Sequence, residues 1–378
     1  MPPSMAQTWT RWEKSAQKGT YPFDFAPYED AKRVMDKVVP LFETDREAFT
    51  NEFLAAAEPH EKRAREAEAR GDKQATRKEY LAAYGLYRMA RFPCQSTQGK
   101  KAAYKKSQEC VLKAWNFDEV PARRVEMPFK GRPGEGDKMI GYLRAPKGVA
   151  RPPVLVYWAG IDTFKEDCLH RTLPFYARGI ACLMIDMPGT GDSPILGSED
   201  GERQWDAVFD WIAAQPDLDS SRVGAYGGSF GGYWATKVAH THRDRLKGVI
   251  SQGGGAHLVF AREQIERAQA GGIPWGQSET RGHAFGRPSH AQWLEYAPRL
   301  SLLDQGVLDA PCAPLLCING VKDPITPIAD YYLVLEHGSP KEARFFANGG
   351  HMGTPLDHGP DETIGIMTGW LAHKLGVR

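Results

Sequence analysis

Arg222-Val223-Gly224-Ala225-Tyr226-Gly227-Gly228-Ser229-Phe230-Gly231-Gly232-Tyr233-Trp234-Ala235-Thr236-Lys237-Val238-Ala239 switches from one periodicity to another within a few residues. Its first part is a short apolar run that reads as a β-strand, and its last part reads as the opening turns of a helix. Between them lies Gly227-Gly228-Ser229-Phe230-Gly231, a G-x-S-x-G at a strand-to-helix turn, the pattern of a nucleophile elbow. The flanking glycines have a steric purpose. A serine held in a strained turn leaves no room for side chains across it. Such a turn presents Oγ to a cleft and aims the next amide, that of Phe230, at an oxyanion forming on the attacked carbon.

Outward from the elbow, the chain from Val125 onward alternates strand-like and helix-like segments. Met139–Leu143 follows the hairpin-type loop Gly131–Asp137, and Pro153–Trp158 and Ile180–Asp186 are continuous apolar runs of the kind that is covered on both faces. A helix is expected over about 202–214. Further strands are expected at Leu246–Ser251, Pro314–Asn319 and Ala343–Ala347. This rhythm predicts an α/β fold with a mostly parallel central sheet and helices on both faces. Residues between Ser251 and Pro314 exceed what a simple crossover needs. They are expected to form a helical cap insertion at about 256–305, with Trp275 and His283 as candidate pocket residues. Before residue 120 the chain is charged and helical in pattern. There Gly71-Asp72 divides two helices, and Tyr80, Tyr84 and Tyr87 share one face of the second, expected to pack on its partner helix or the main domain. The expected organisation is therefore 1–120 as a helical N-terminal domain and 121–378 as the α/β domain.

An unactivated serine is a poor nucleophile and needs a base, which itself needs an orienting group. His351 lies in the glycine-bounded loop Asn348-Gly349-Gly350-His351-Met352-Gly353 after the strand at Phe345. Asp323 lies in Asn319-Gly320-Val321-Lys322-Asp323-Pro324 after the strand Leu315–Ile318. Each alone reads as a solvated loop residue. Together they complete the chain order serine, acid, histidine, each after a strand. We assign Ser229 as nucleophile, His351 as general base and Asp323 as its orienter, with the amides of Phe230 and Ile161 as the oxyanion hole. The second amide is drawn from Ala159-Gly160-Ile161-Asp162-Thr163, after the strand Val154–Trp158. Trp158, Asp162, His257 and Met352 join Trp275 and His283 as pocket candidates.

Bulk properties narrow the function classes. With 48 basic and 47 acidic residues, nothing points to a nucleic-acid or anionic-membrane partner. No run approaches the ~20 apolar residues of a membrane span, and Met1–Gln7 lacks the layout of a signal peptide. Cys94, Cys110, Cys168, Cys182, Cys312 and Cys317 follow no disulfide or zinc spacing, so a reducing, cytoplasmic setting is expected. No metal or cofactor is called for.

The chain resembles the α/β-hydrolase superfamily over about residues 125–378. More narrowly it resembles the group containing 2,6-dihydroxypseudooxynicotine hydrolase and the esterase-like fermentation–respiration switch proteins. That likeness uses Glu66–Asp72, Tyr84–Ala90, Gly160–Glu166 and Asp186–Gly191 as well. The resemblance implies an N-terminal domain that helps close the active site, a homodimer, and cleavage of esters or of carbon–carbon bonds next to a ketone. The carbon–carbon branch is thought to use an extra acid after the strand that follows the elbow helix. Here Gln252-Gly253-Gly254-Gly255-Ala256-His257-Leu258-Val259-Phe260 holds no carboxylate, which puts a carboxylic ester of an apolar or aromatic small molecule first; His257 could substitute as a proton donor but reads more readily as a pocket-lining or surface histidine. A prolyl-oligopeptidase-like peptidase would need a β-propeller repeat of about 40–50 residues, which is missing. A non-catalytic regulatory protein would be expected to show a damaged triad.

Overall fold

The computed structural model describes every residue except 1–3, 271–275, 358, 360 and 378. Its contacts divide the chain into two compact units, Met1–Pro121 with Pro274–Thr280, and Ala122–Ile273 with Arg281–Arg378.

The first unit contains α1 (Met5–Lys18), α2 (Tyr28–Leu41), α3 (Glu47–Ala69), α4 (Lys73–Arg91) and α5 (Gln98–Trp115). α3 runs through Pro59 and stops where Gly71 takes a left-handed φ of 74°. Asp72 then caps α4 by accepting from the Ala75 amide at 3.0 Å. The two helices form a hairpin whose polar tips are paired inside it. Tyr80 donates to Glu68 and Tyr87 donates to Glu61, each at 2.7 Å, while Tyr84 is buried between them. In the short returning segment, Glu279 meets the Lys100 ammonium at 2.8 Å.

The second unit is built on an eight-stranded sheet of order β1-β2-β4-β3-β5-β6-β7-β8. The strands are β1 (Arg123–Pro128), β2 (Lys138–Arg144), β3 (Pro153–Trp158), β4 (Ala181–Ile185), β5 (Asp219–Gly228), β6 (Gly248–Gln252), β7 (Leu315–Gly320) and β8 (Lys341–Phe346). β1 and β2 form an antiparallel hairpin and β2 pairs antiparallel with β4; every later pairing is parallel. α6 (Leu169–Tyr176) and α13 (Thr363–Lys374) cover one face. There Tyr157, Tyr226 and Phe175 pack together and Leu371 lies over Gly224. α7 (Gln204–Ala213) and α8 (Phe230–Thr241) cover the other, where Val154, Val156 and Trp158 meet Trp205 and Trp234. α12 (Ile328–Glu336) leads from β7 to β8.

The order β4-β3-β5 places a topological switch point between β3 and β5. Connections leave in opposite directions there and open a crevice at the carboxyl ends of the strands. The loop after β3 and the turn after β5 both reach that crevice. Between β6 and β7 stand α9 (Arg262–Ala270), α10 (Gln277–Ala284) and α11 (His290–Tyr296). The aromatics of this insertion largely pack inward. Phe285, Trp293 and Tyr296 are buried and join the core cluster of the sheet domain. Among the described residues no helix is long and apolar enough to cross a membrane.

Candidate active site

Ser229 sits between the last residue of β5 and the first of α8, with φ 54° and ψ −125°. A non-glycine residue there carries roughly 1–3 kcal/mol of backbone strain, which persists only when neighbours over-determine it. Two backbone bonds do so. The Ser229 amide donates to the Gln252 carbonyl at 2.7 Å, and the Ser229 carbonyl accepts from Gly232 at 2.8 Å. Steric fit does the rest. A Cβ on Gly227 would stand 2.1 Å from the Gly231 carbonyl oxygen, so the turn closes only with hydrogen at that position.

His351 brings Nε2 to 2.8 Å from Ser229 Oγ, and its Nδ1 lies 2.8 Å from Asp323 Oδ2. The two loops that carry His351 and Asp323 are stitched together by backbone bonds. Val321 donates to the Phe346 carbonyl and Lys322 to the Gly349 carbonyl, each at 3.0 Å. The Asp323 side chain is fully buried, yet it has three donors: His351 Nδ1, Asn319 Nδ2 at 2.8 Å and the Ile325 amide at 2.7 Å. Burial alone would raise its pKa. The His351 charge and these hydrogen bonds outweigh burial and hold the carboxyl below its usual range. With Asp323 accepting from Nδ1–H, the imidazole lone pair at Nε2 faces the serine hydroxyl.

Gly160 abuts Ser229. A Cβ there would lie 2.9 Å from Ser229 Cβ and 3.2 Å from Oγ. The next residue, Ile161, is buried, and neither its amide nor that of Phe230 donates to an acceptor among the described residues. Buried amides are seldom left without a partner.

The remaining pocket candidates divide. Met352, at φ 63°, presses its side chain against Gly228 and accepts from Gln252 Nε2 through its carbonyl at 2.8 Å. Asp162 is buried in the Gly160 loop and accepts from Thr163 at 3.2 Å. His257 is drawn elsewhere, with Nδ1 2.7 Å from Ser301 Oγ and its amide on Asp330 at 2.9 Å. His283 is partly buried near the end of α10, and Trp275 lies outside the described residues. Trp158 requires correction: it does not line a pocket. It is fully buried in the core against Trp205, and its indole N–H donates to the Gly231 carbonyl at 2.8 Å. An aromatic ending β3 on the α8 face is captured by the elbow helix and braces it.

Two supports escape a motif search. Gln252 ends β6 and ties three parts of the site together. Its carbonyl takes the Ser229 amide, its Nε2 bonds Met352, and its Oε1 accepts from Tyr226. The one available signal is a polar residue closing an apolar strand. Lys165 is fully buried just beyond the Gly160 loop, with Nζ 2.7 Å from Asp186, 2.6 Å from Asp192 and 2.9 Å from Glu166. A surface groove lined by Phe209, Asp210, Val223 and Arg245 sits at the amino-terminal end of β5, the end opposite Ser229, and holds none of this chemistry. Among the described residues no group of three or more His, Cys, Asp or Glu is arranged to hold a metal ion.

A mostly parallel sheet of this order, with a serine at the elbow after β5, defines an α/β-hydrolase. Residues 45–345 match the family described as esterase FrsA-like, and the chain belongs to that family. Relatives include the esterase FrsA of Citrobacter koseri, 26% identical over 311 residues, spanning 80% of this chain and 72% of that one. The esterase FrsA of Escherichia coli O9:H4 (strain HS) is 27% identical over 317 residues, spanning 81% and 72%. Among solved structures, 2,6-dihydroxy-pseudo-oxynicotine hydrolase aligns with TM-score 0.75 at 21% identity, covering 96% of this chain and 95% of its own. AbyA5 aligns at 0.74 and 20%, covering 100% and 96%; at these identities the likeness is one of fold. The chain is an esterase-type hydrolase.

Proposed function

We propose that the protein cleaves a carboxylic ester of a small, fairly apolar or aromatic molecule through a Ser229 acyl-enzyme. The observation that carries this reading is the unbroken chain Ser229 Oγ–His351 Nε2 and His351 Nδ1–Asp323 Oδ2, both at 2.8 Å. Ser229 attacks the ester carbonyl as His351 removes its proton. The oxyanion is received by the amides of Phe230 and Ile161, and loss of either donor costs about 3 kcal/mol of transition-state stabilisation. His351 then returns the proton to the leaving alcohol. A water activated by the same imidazole attacks the acyl carbon, and Ser229 leaves with the proton restored. Asp323 keeps Nδ1 protonated and stabilises the imidazolium that forms in each half-reaction.

Ester cleavage is preferred over carbon–carbon cleavage for a specific reason. The segment after β6 has no carboxylate of its own. Asp304 comes within 3.9 Å of His257 Nδ1 but is largely exposed, and Asp330 is occupied by the amides of Ala256, His257 and Val259 at 2.9–3.1 Å. An acid so engaged holds a turn rather than delivering a proton. The reading extends to a cytoplasmic homodimer with the N-terminal helical domain as lid, as the family resemblance implies. Light scattering on the purified protein tests the dimer.

The chemistry is tested with p-nitrophenyl esters of graded acyl length, lactones and aryl β-diketones, with products identified by mass. The expected result is a nitrophenol burst and a transient acyl adduct on Ser229. Cleavage of the diketones alone would replace the ester reading with carbon–carbon hydrolysis.

A further inference from the structure

α10 carries a cation that the triad does not use. Arg281 is 7% exposed, and its Nε is sealed from solvent with no hydrogen-bond acceptor. Arg88, Arg144 and Arg203 also bury an Nε without an acceptor, but Arg88 brings another nitrogen to Asp24 at 3.5 Å, Arg203 brings one to Glu135, and Arg144 has further interactions besides standing over the Tyr176 ring. Arg281 has no such partner, since no carboxylate lies within ion-pairing reach among the described residues. Its guanidinium instead stands 5.9 Å from the centroid of the Trp293 ring. Among the described residues, Asp162 is the charged side chain whose field reaches it. Burial pushes its pKa down to about 10, so it remains a cation at neutral pH. A buried Nε with no acceptor in the fold is a polar group left for a ligand to satisfy.

Its position says which ligand. Phe285 directly follows α10, and its amide donates to the Arg281 carbonyl at 3.1 Å, so the two residues lie one helical turn, about 5.4 Å, apart. Phe285 packs on Phe230, the residue after the nucleophile, with ring centroids 5.5 Å apart. On the other side, Asp162 lies two residues beyond Gly160, which touches Ser229. Arg281 is thus tied to the elbow through Phe285 and Phe230, and to the Gly160 loop through the field of Asp162.

We infer that Arg281 is a specificity-determining residue that binds a carboxylate borne by the substrate, so that the preferred ester is a hemi-ester of a dicarboxylic acid or a similar anionic ester. This rests on the ester-hydrolase reading. A planar guanidinium presents paired N–H donors that match a carboxylate, and in a water-poor wall such a bond is stronger than at the surface. The apolar neighbours Phe230, Phe285 and Trp293 hold the uncharged body of the molecule.

The test compares the mono-p-nitrophenyl ester of glutaric acid with the neutral p-nitrophenyl butyrate, using the full-length protein. Wild type is expected to favour the anionic ester in kcat/KM. Arg281→Met should lower the anionic-to-neutral ratio by about 100-fold, and Arg281→Lys, which keeps charge but not the fork, should restore part of it. A second arm removes catalysis: glutarate should raise the melting temperature of Ser229→Ala but not of Ser229→Ala/Arg281→Met. A wild-type ratio near one, or a ratio unchanged in Arg281→Met, overturns the anion site and leaves the hydrolase reading intact. No turnover of either ester, with Arg281-dependent glutarate binding still present, sinks the hydrolase reading and supports the anion site.

Discussion

In the proposed mechanism Ser229, His351 and Asp323 act as one unit, because each is useless to the chemistry without the geometry of the next. Replacing Ser229 or His351 by alanine should lower kcat by at least about 10⁴-fold, with circular dichroism and melting temperature nearly unchanged. Asp323→Asn should cost a similar factor, since an amide cannot hold the same tautomer. Asp323 also carries a stability signature. Its folded pKa is lowered beneath the unfolded value of about 3.9. The carboxylate's contribution is therefore complete above that value and is withdrawn as pH falls through the folded pKa. The gap in urea midpoint between wild type and Asp323→Asn is expected to narrow between about pH 5 and pH 3. A gap independent of pH would show that the charge contributes nothing to folding.

At the scale of elements, the site is three strand ends and the loops that leave them. The elbow was legible in the sequence because its determinants are local: glycines at the turn, an apolar strand before it and a helix after it. The positions of Asp323 and His351 were legible for the same reason, each in a loop directly after a strand. What stayed hidden was tertiary. Nothing near Gln252 in sequence announces that it links Tyr226 and Ser229 of the β5–elbow stretch with Met352 of the loop after β8. Trp158 misled because an aromatic at a strand end fits a pocket wall and a core equally well, and only the Gly231 carbonyl opposite its indole decides. The Lys165 cluster belongs here too. Its three carboxylates come from the β3–α6 connection and from the turn after β4, and burial raises the pKa of Asp186 within it. Lys165→Met leaves the buried Glu166 and Asp186 without the ammonium that faces them. It should cost about 3–5 kcal/mol in urea unfolding and loosen the Ile161 loop.

At the scale of the molecule, the sheet order determines where chemistry can happen. β3 and β5 flank the switch point, and the Gly160 loop and the Ser229 elbow are their continuations. The mostly parallel sheet was readable from the alternation of apolar runs and helices. The inward packing of Phe285, Trp293 and Tyr296 was not assignable residue by residue, because a cap helix and a core helix share one amphipathic pattern. The cysteines give a whole-molecule test of packing. All six are free and buried, with thiol pKa values raised by burial. A thiol reagent such as DTNB should find almost no reactive group in the native protein and six after denaturation. Rapid reaction before unfolding would contradict the packing described.

The central claim, that Ser229 is an activated nucleophile, is tested most directly by a fluorophosphonate probe with intact-mass and peptide readout. One adduct per chain is expected, located on Ser229, lost in Ser229→Ala and strongly slowed in His351→Ala. A folded wild-type protein that remains unlabelled, or is labelled at another residue, would contradict the account.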